Sequence, residues 1–314
     1  MNDTLAIIAE HAEVVIDDTD LASREDWLQA RTTGLGGSDA AAALGLSPWR
    51  SRYALWDEKT RDELSDEDNE LLKWGRRLEP IIIQAFTEET GIKADRLPQM
   101  LRSREYPWMT VNLDAVILDE PSIVEAKNTG WYQAGEWSDD EGQATVPDHY
   151  GAQGQHALAV TGLDSCWFSV LIGGNDFRRI KVERDPALIA DLVEMERAFW
   201  DLVEAGTPPA LDSSDSTTHA LKARFANPAI GTTVEVSPVV GELIAHRAAL
   251  KVQKKTLDEE LALVDNNLKA AVGNAEVATV NGEPVFSWKY VERDGYVVAP
   301  GSYRRLIIPS GRRR

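Results

Sequence analysis

The clearest hydrophobic pattern lies towards the C-terminus. Leu243, Leu250, Leu257, Val264 and Ala271 recur every seventh residue, and Leu261 and Leu268 fill a second apolar position in the later heptads. Such spacing keeps apolar side chains on one stripe of a helix, so a long helix is expected from Glu242 onward. Its seam admits two readings: packing on the chain's own domain, or self-association. Beyond it, Asn281-Gly282 is a hairpin signal, and "VFSWKYVE" and "SYRRLIIP" read as closing strands.

Upstream, helical and strand periods alternate. "SREDWLQAR" has capping-box spacing from Ser23 to Asp26 and predicts a short helix. "TTGLGGSDAAAALG" is a Gly-rich turn entering an Ala-rich helix, and Ser47-Pro48 marks the next helix start. "NELLKWGRRLEPIIIQAFTEETG" predicts a helix ended by Gly91, with Pro80 either kinking it or opening a second one. "MLRSREYPWMTVNLDAVILD" and "SIVEAKN" read as strands, joined by a turn at Asp119-Glu120-Pro121. "HYGAQGQHALAVTG" is a helix, and "SCWFSVLIGG" with "FRRIKVER" forms a hairpin. Pro186 opens an amphipathic helix stopped by Gly206 and Pro208-Pro209, after which comes a linker with a short helix. Residues 1–22 are acidic and show little periodicity, which predicts a flexible tail.

A hydrophobic content of 43% over 314 residues supports a large buried core and excludes global disorder. One cysteine, Cys166, excludes an internal disulfide framework and a cysteine-held metal cluster, and fits a reducing cytoplasm. No signal peptide or membrane span is expected. The net charge of −19 argues against broad phosphate-backbone binding. The charge is uneven, however. Residues 57–70 hold eight acids against two bases, and residues 211–314 are net positive.

The stretch "VNLDAVILDEPSIVEAKN" is unusual because Asp114, Glu125 and Lys127 interrupt two apolar strands. Glu125 and Lys127 are two apart and face one side of a strand. Pairing of the strands would bring Asp114 alongside. Two carboxylates converging with a lysine suit a hard divalent cation with oxygen ligands, and these are the parts needed for phosphodiester hydrolysis. The bland alternative is an exposed Asp114–Lys127 salt bridge. The flanking Val111, Leu113, Ala115, Ile117, Ile123 and Val124 argue for burial, where an unpaired charge is costly. "GLGGSD" lacks the Lys-Ser/Thr of a nucleotide-binding loop. Trp49, Arg50 and Tyr53 are candidates to contact DNA, a core tryptophan being the alternative.

Asp114…Glu125-Ala126-Lys127 resembles the PD-(D/E)XK nuclease signature, and its surroundings resemble the YqaJ-type viral recombinases, the group that includes phage lambda exonuclease. Arg31 and Ser38 in "RTTGLGGSDAAAALGLSPW", Glu79 in "WGRRLEP", Gln153 and Gln155 in "HYGAQGQHAL", and the segment "FWDLVEAGTPPALDSSDSTTHALKARF" carry the likeness. It covers residues 23–226 as an exonuclease domain. Residues 227–314 are then a helical and β-hairpin extension.

The resemblance implies an α/β fold, a mixed central β-sheet flanked by helices. It implies metal ligation by Glu79, Asp114, Glu125 and the Ala126 carbonyl, with Mg2+ or Mn2+ as the ion. Lys127 would activate or position water. Arg31, Ser38 and one of Gln153 or Gln155 would hold the 5′-phosphate of a DNA end, with Trp49 and Arg50 as further DNA contacts. Ala126 replaces a larger apolar residue of many relatives, which leaves its carbonyl available. The implied activity is 5′→3′ resection of linear duplex in a phage- or prophage-bearing bacterial cytoplasm, by a ring-forming oligomer working with a single-strand annealing protein. Rival readings are an endonuclease with the same site and a catalytically idle DNA-end-binding protein. The charge objection is met if Arg31, Arg50, Arg52, Arg76, Arg77, Arg102 and Arg104 line a channel and the acids face outward.

Overall fold

The protein, described by a computed structural model over residues 3–61, 70–227 and 229–290, is built on one mixed sheet. Its strands are β1 (Ala12–Ile16), β2 (Ala94–Ser103), β3 (Thr110–Ile117), β4 (Ser122–Thr129), β5 (Ser165–Ile172) and β6 (Asp176–Glu183), lying side by side in chain order. The helices of this part are α1 (Asp3–His11), α2 (Arg24–Thr32), α3 (Gly37–Leu44), α4 (Arg52–Thr60), α5 (Glu70–Thr90), α6 (Asp148–Thr161), α7 (Pro186–Glu204) and α8 (Asp215–Arg224). Neighbouring strands are antiparallel except β4 and β5, which are parallel. A parallel pair needs a crossover, and α6 lies in it. This is the expected mixed sheet flanked by helices.

Both sheet faces are covered. Ala157, Leu158 and Val160 of α6 pack with Val111, Leu113, Ile123 and Phe168. On a second cluster, Ile83 and Phe86 of α5 meet Ala115, Ile117 and Val124. Val111 and Leu113 thus serve one cluster and Ala115 and Ile117 the other, although simple alternation would put all four on one side. The β2–β3 register shifts at the same place, where Leu97 pairs with Leu113 but Asp95 pairs with Val116. An extra residue in one strand re-aims the side chains beside it. Asp114 sits at that irregularity.

The division between the two units falls between Phe225 and Ala226. The second unit contains α9 (Val239–Val272), β7 (Val277–Val280) and β8 (Glu283–Ser287). The hairpin turns at Asn281 and Gly282, with φ of 54° and 86°, as its turn residues require. "SYRRLIIP" and residues 62–69 of the acid-rich run lie outside the described residues.

Three expectations are corrected. Residues 3–16 are not a flexible tail: α1 buries Ile8, and β1 pairs with β2 from Ala12↔Ser103 to Ile16↔Met100. Thr4 Oγ1 also donates to the Ile117 carbonyl at 2.9 Å. The segment escaped notice because so short a helix and strand contribute few core positions each. Ser47-Pro48 does not open a helix. Ser47 Oγ accepts from the Trp49 and Arg50 amides, and α4 starts later, where Ser51 Oγ accepts from Ala54 N at 3.1 Å. Finally, of the two readings of Pro80, the opening of a second helix is excluded, since α5 runs from Glu70 to Thr90 through it.

Candidate active site

Strand β4 is buried at its start, so its charged side chains need partners. Glu125 is 6% exposed, and its Oε1 accepts from Lys127 Nζ at 2.7 Å. The Asp114–Lys127 surface salt bridge is therefore not what forms. The β3–β4 ladder pairs Ala115 with Val124, so Asp114 stands one step beyond, beside Glu125. Asp114 Oδ2 accepts from the Ala126 amide at 2.8 Å. Burial, then Glu125, then Glu79 push the Asp114 carboxyl well above its ordinary range, against the opposing pull of Lys127. Burial alone would lower Lys127, but Glu125 and Asp114 outweigh it and raise it, so the ammonium stays charged.

Helix α6 completes this cluster. Gln153 Oε1 accepts from Lys127 Nζ at 3.0 Å, and its Nε2 donates to Glu125 Oε1 at 2.5 Å. The lysine also lies 4.8 Å from the Tyr150 ring centroid. Gln155 is not part of the site. Two positions along a helix is roughly 200° of rotation, and Gln155 is turned inward. Its Nε2 donates to the Glu183 carbonyl at 2.8 Å, and its Oε1 accepts from the Asp185 amide at 3.0 Å. It fastens the β6–α7 corner.

Glu79 approaches from α5 and lines, with Asp114, Arg76, Arg96 and Trp27, a cavity of about 350 Å³. Burial raises its pKa, Arg96 opposes this, and Glu125 adds to it. Three carboxyl groups thus share one ammonium, and two of them are pushed towards the protonated form. An all-oxygen donor set with a surplus of negative charge fits a hard divalent cation. Among the described residues no three His, Cys, Asp or Glu side chains form a closed cage as they stand. Glu125 is engaged by Lys127 and Gln153 instead, and Asp114 by the Ala126 amide.

The proposed phosphate residues gather at the start of α3. The loop before it is stitched to β3: Leu35 N donates to the Trp108 carbonyl at 2.6 Å, and Thr110 N donates to the Leu35 carbonyl at 2.8 Å. Gly34 is needed there, since a Cβ would lie 2.8 Å from the Trp108 carbonyl oxygen. Ser38 is exposed in the first turn of α3, where free amides favour anions. A Cβ at Gly37 would come within 3.4 Å of Gln153 Cγ, so this helix start adjoins the Glu125–Lys127–Gln153 cluster.

Sequence reasoning missed the centre of that pocket. Asp39 is fully buried and holds Lys59 Nζ at 2.7 Å, Arg31 at 3.3 Å and Arg50 in a short contact. Burial would raise the Asp39 carboxyl, but Lys59, Arg50 and Arg31 overcome it and hold it well below its usual range. Glu58 also binds Arg50, at 2.7 Å. Three bases against two acids leave the cluster positive. The signal for Asp39 was its place three residues after the Gly36 N-cap, whose amide it accepts at 3.0 Å. Trp49 is 56% exposed and edges against His149, so it is not a core tryptophan, whereas Tyr53 is buried.

Four of the other arginines expected to line a channel have a neighbour within the first unit. Arg52 lies over the Phe199 ring and Arg77 over Trp74, Arg102 donates to Thr33 Oγ1, and Arg104 donates to the Ala9 carbonyl. Arg77 and Arg104 are nonetheless exposed.

Comparison with known proteins shows the family of the chain. Residues 26–164 match the profile of the YqaJ-like viral recombinase domain. The chain is 34% identical over 287 residues to a Bacillus subtilis (strain 168) protein named "Uncharacterized protein YqaJ", covering 90% of this chain and 88% of that one. The chain belongs to the YqaJ-like viral recombinase family. The YqaJ-like match spans α2 to the β5 approach and so includes Glu79, Asp114, Glu125, Lys127 and Gln153. Two solved structures are also similar. An alkaline exonuclease, LHK-Exo, from Laribacter hongkongensis is 22% identical, covering 64% of this chain and 98% of that one, with a TM-score of 0.48. A phage-related exonuclease from Haemophilus somnus 129PT is 14% identical, covering 55% and 96%, with a TM-score of 0.43. Among the described residues no helix is long and apolar enough to cross a membrane.

Proposed function

We propose that the protein is a metal-dependent DNA exonuclease that resects linear duplex from 5′-phosphorylated ends and leaves 3′ single strands. One observation carries this reading. The Lys127 ammonium is held between Glu125 and Gln153, beside Asp114 and next to the positive start of α3. Membership of a family described as viral recombinases supports DNA as the substrate.

Glu79, Asp114, Glu125 and the Ala126 carbonyl are the groups that would hold Mg2+, or Mn2+ in its place. When bound, the cation supplies charge stabilisation to the reacting phosphate and lowers the pKa of water. Lys127, kept charged by its carboxylate neighbours, orients the attacking water and stabilises developing negative charge. Gln153 fixes that lysine's direction. Water adds to phosphorus and the bond to the 3′ oxygen of the terminal nucleotide breaks. The shortened strand keeps a new 5′-phosphate. Arg31, Arg50, Ser38 and the first amides of α3 bind that terminal phosphate, the arginines as planar forks of donors, and Trp49 stacks on an end base. In its biological setting the enzyme acts on DNA ends in a bacterial cytoplasm, as a ring, handing single strands to an annealing protein of the same phage or prophage.

End-labelled linear duplex with Mg2+ tests this, carrying either 5′-phosphate or 5′-hydroxyl, with covalently closed circles as a second substrate. Wild type digests the phosphorylated linear form preferentially and spares circles, and Lys127→Ala reduces the rate by about 100-fold or more. Equal digestion by both proteins would remove Lys127 from the mechanism. Cutting of circles would make the enzyme an endonuclease.

A further inference from the structure

Helix α9 spans 34 residues and buries only Val272. Leu243, Leu250, Leu257, Leu261, Val264 and Leu268 on its seam are between 41% and 64% exposed. A seam of this kind is completed by a second helix. The charges along it say which helix and in which direction.

The first half of α9 carries Arg247, Lys251, Lys254 and Lys255 against one acid, Glu242, while the second half carries Asp258, Glu259, Glu260 and Asp265 against one base, Lys269. The exposed pairs Lys254–Asp258 and Lys255–Glu259, both 3.5 Å, join the halves only at the boundary. The helix is therefore a charge dipole that complements itself when reversed.

We propose that α9 pairs antiparallel with α9 of a second copy of this chain. With the helices fully overlapped, Leu243 meets Leu268 of the second copy and Leu250 meets Leu261. Lys254 falls opposite Leu257, close to Asp258 of the second copy, and its aliphatic stem covers the leucine while its ammonium reaches the carboxylate. Lys251 likewise faces Asp258 of the second copy. A parallel pair would instead stack Arg247 on Arg247 and Lys254 on Lys254 within the seam, where like charges repel. Antiparallel helix dipoles also attract. The pairing is independent of the nuclease reading, and either can fail without the other.

Co-expression of full-length Leu243→Cys and Leu268→Cys chains, followed by mild oxidation, tests it. Native Cys166 is buried and serves as the background control. A disulfide-linked dimer forms in the co-expressed pair and in neither variant alone. Self-linking of either single variant would mean a parallel pair and overturn the proposal. Absence of any link would mean that the seam is covered by another surface, and would overturn it too. A second measurement avoids the seam leucines. Lys251→Glu/Lys254→Glu/Lys255→Glu, read by sedimentation of the full chain, halves the assembly mass, and added Asp258→Lys/Glu259→Lys/Glu260→Lys chain restores it. An unchanged mass would refute the pairing.

Discussion

Gln153 and Gln155 are the same residue type, two positions apart on one helix, and the fold gives them different work. Gln153 joins Lys127 to Glu125, and Gln155 joins the β6 and α7 backbones. Gln153→Ala is expected to lower cleavage per folded molecule by ten-fold or more (a loss of about 1.4 kcal/mol in the transition state), with little change in thermal midpoint. Gln155→Ala removes two hydrogen bonds made by a buried side chain and is expected to cost about 1–3 kcal/mol of stability, with activity per folded molecule near wild type. Parallel urea melts and rate measurements on both variants check this. A pair of variants that lost activity equally at equal stability would contradict the assignment. At this scale Glu125 and Lys127 were legible from spacing alone, since two residues is one strand period. The choice between the two glutamines was not, because it depends on what each helix face meets.

At the scale of elements, the N-terminal segment shows how weak local patterns gain structure from their surroundings. α1 and β1 have few core positions, yet Ile8 and Ala12 enter the main apolar cluster and β1 closes the edge of β2. Deletion of residues 1–16 is therefore expected to destabilise the folded chain by several kcal/mol, since it uncovers buried apolar surface and leaves β2 as an unprotected edge. Denaturant unfolding and light scattering read out the loss and the resulting association. A deletion as stable as wild type would restore the flexible-tail reading. The strong patterns behaved differently. The cap at Ser23, the helix start at Pro186 and the hairpin turn at Asn281-Gly282 sit where the sequence puts them, because backbone geometry at those points depends on one or two residues.

Across the whole molecule, one buried pair ties the first unit together. His156 on α6 meets Glu196 Oε1 on α7 at 2.8 Å through Nδ1, while its Nε2 meets the Thr110 carbonyl on β3 at 2.9 Å. Burial by itself would lower the histidine pKa, but the Glu196 charge and hydrogen bond override it and the net shift is upward. A raised folded pKa means that the contribution is complete below the unfolded value of about 6.5 and is lost as pH rises through the higher folded value. Stability attributable to this pair is thus expected to fall on the alkaline side of about pH 6.5. The difference in urea midpoint between wild type and His156→Gln, followed from pH 5.5 to 9, isolates it. A difference that grew with rising pH would refute the sign.

What the sequence by itself determined was local or periodic: helix and strand periods, turns, and the facing of Glu125 with Lys127 on one strand. These depend on backbone steps that every strand or helix repeats. Tertiary structure alone decided the rest. It set Asp114 at a strand irregularity, brought Gln153 over Lys127, and turned Gln155 inward. It also gathered Arg31, Arg50 and Lys59 on Asp39, from three separate segments. Contacts between distant segments depend on how whole elements pack, and neither spacing nor composition encodes that directly.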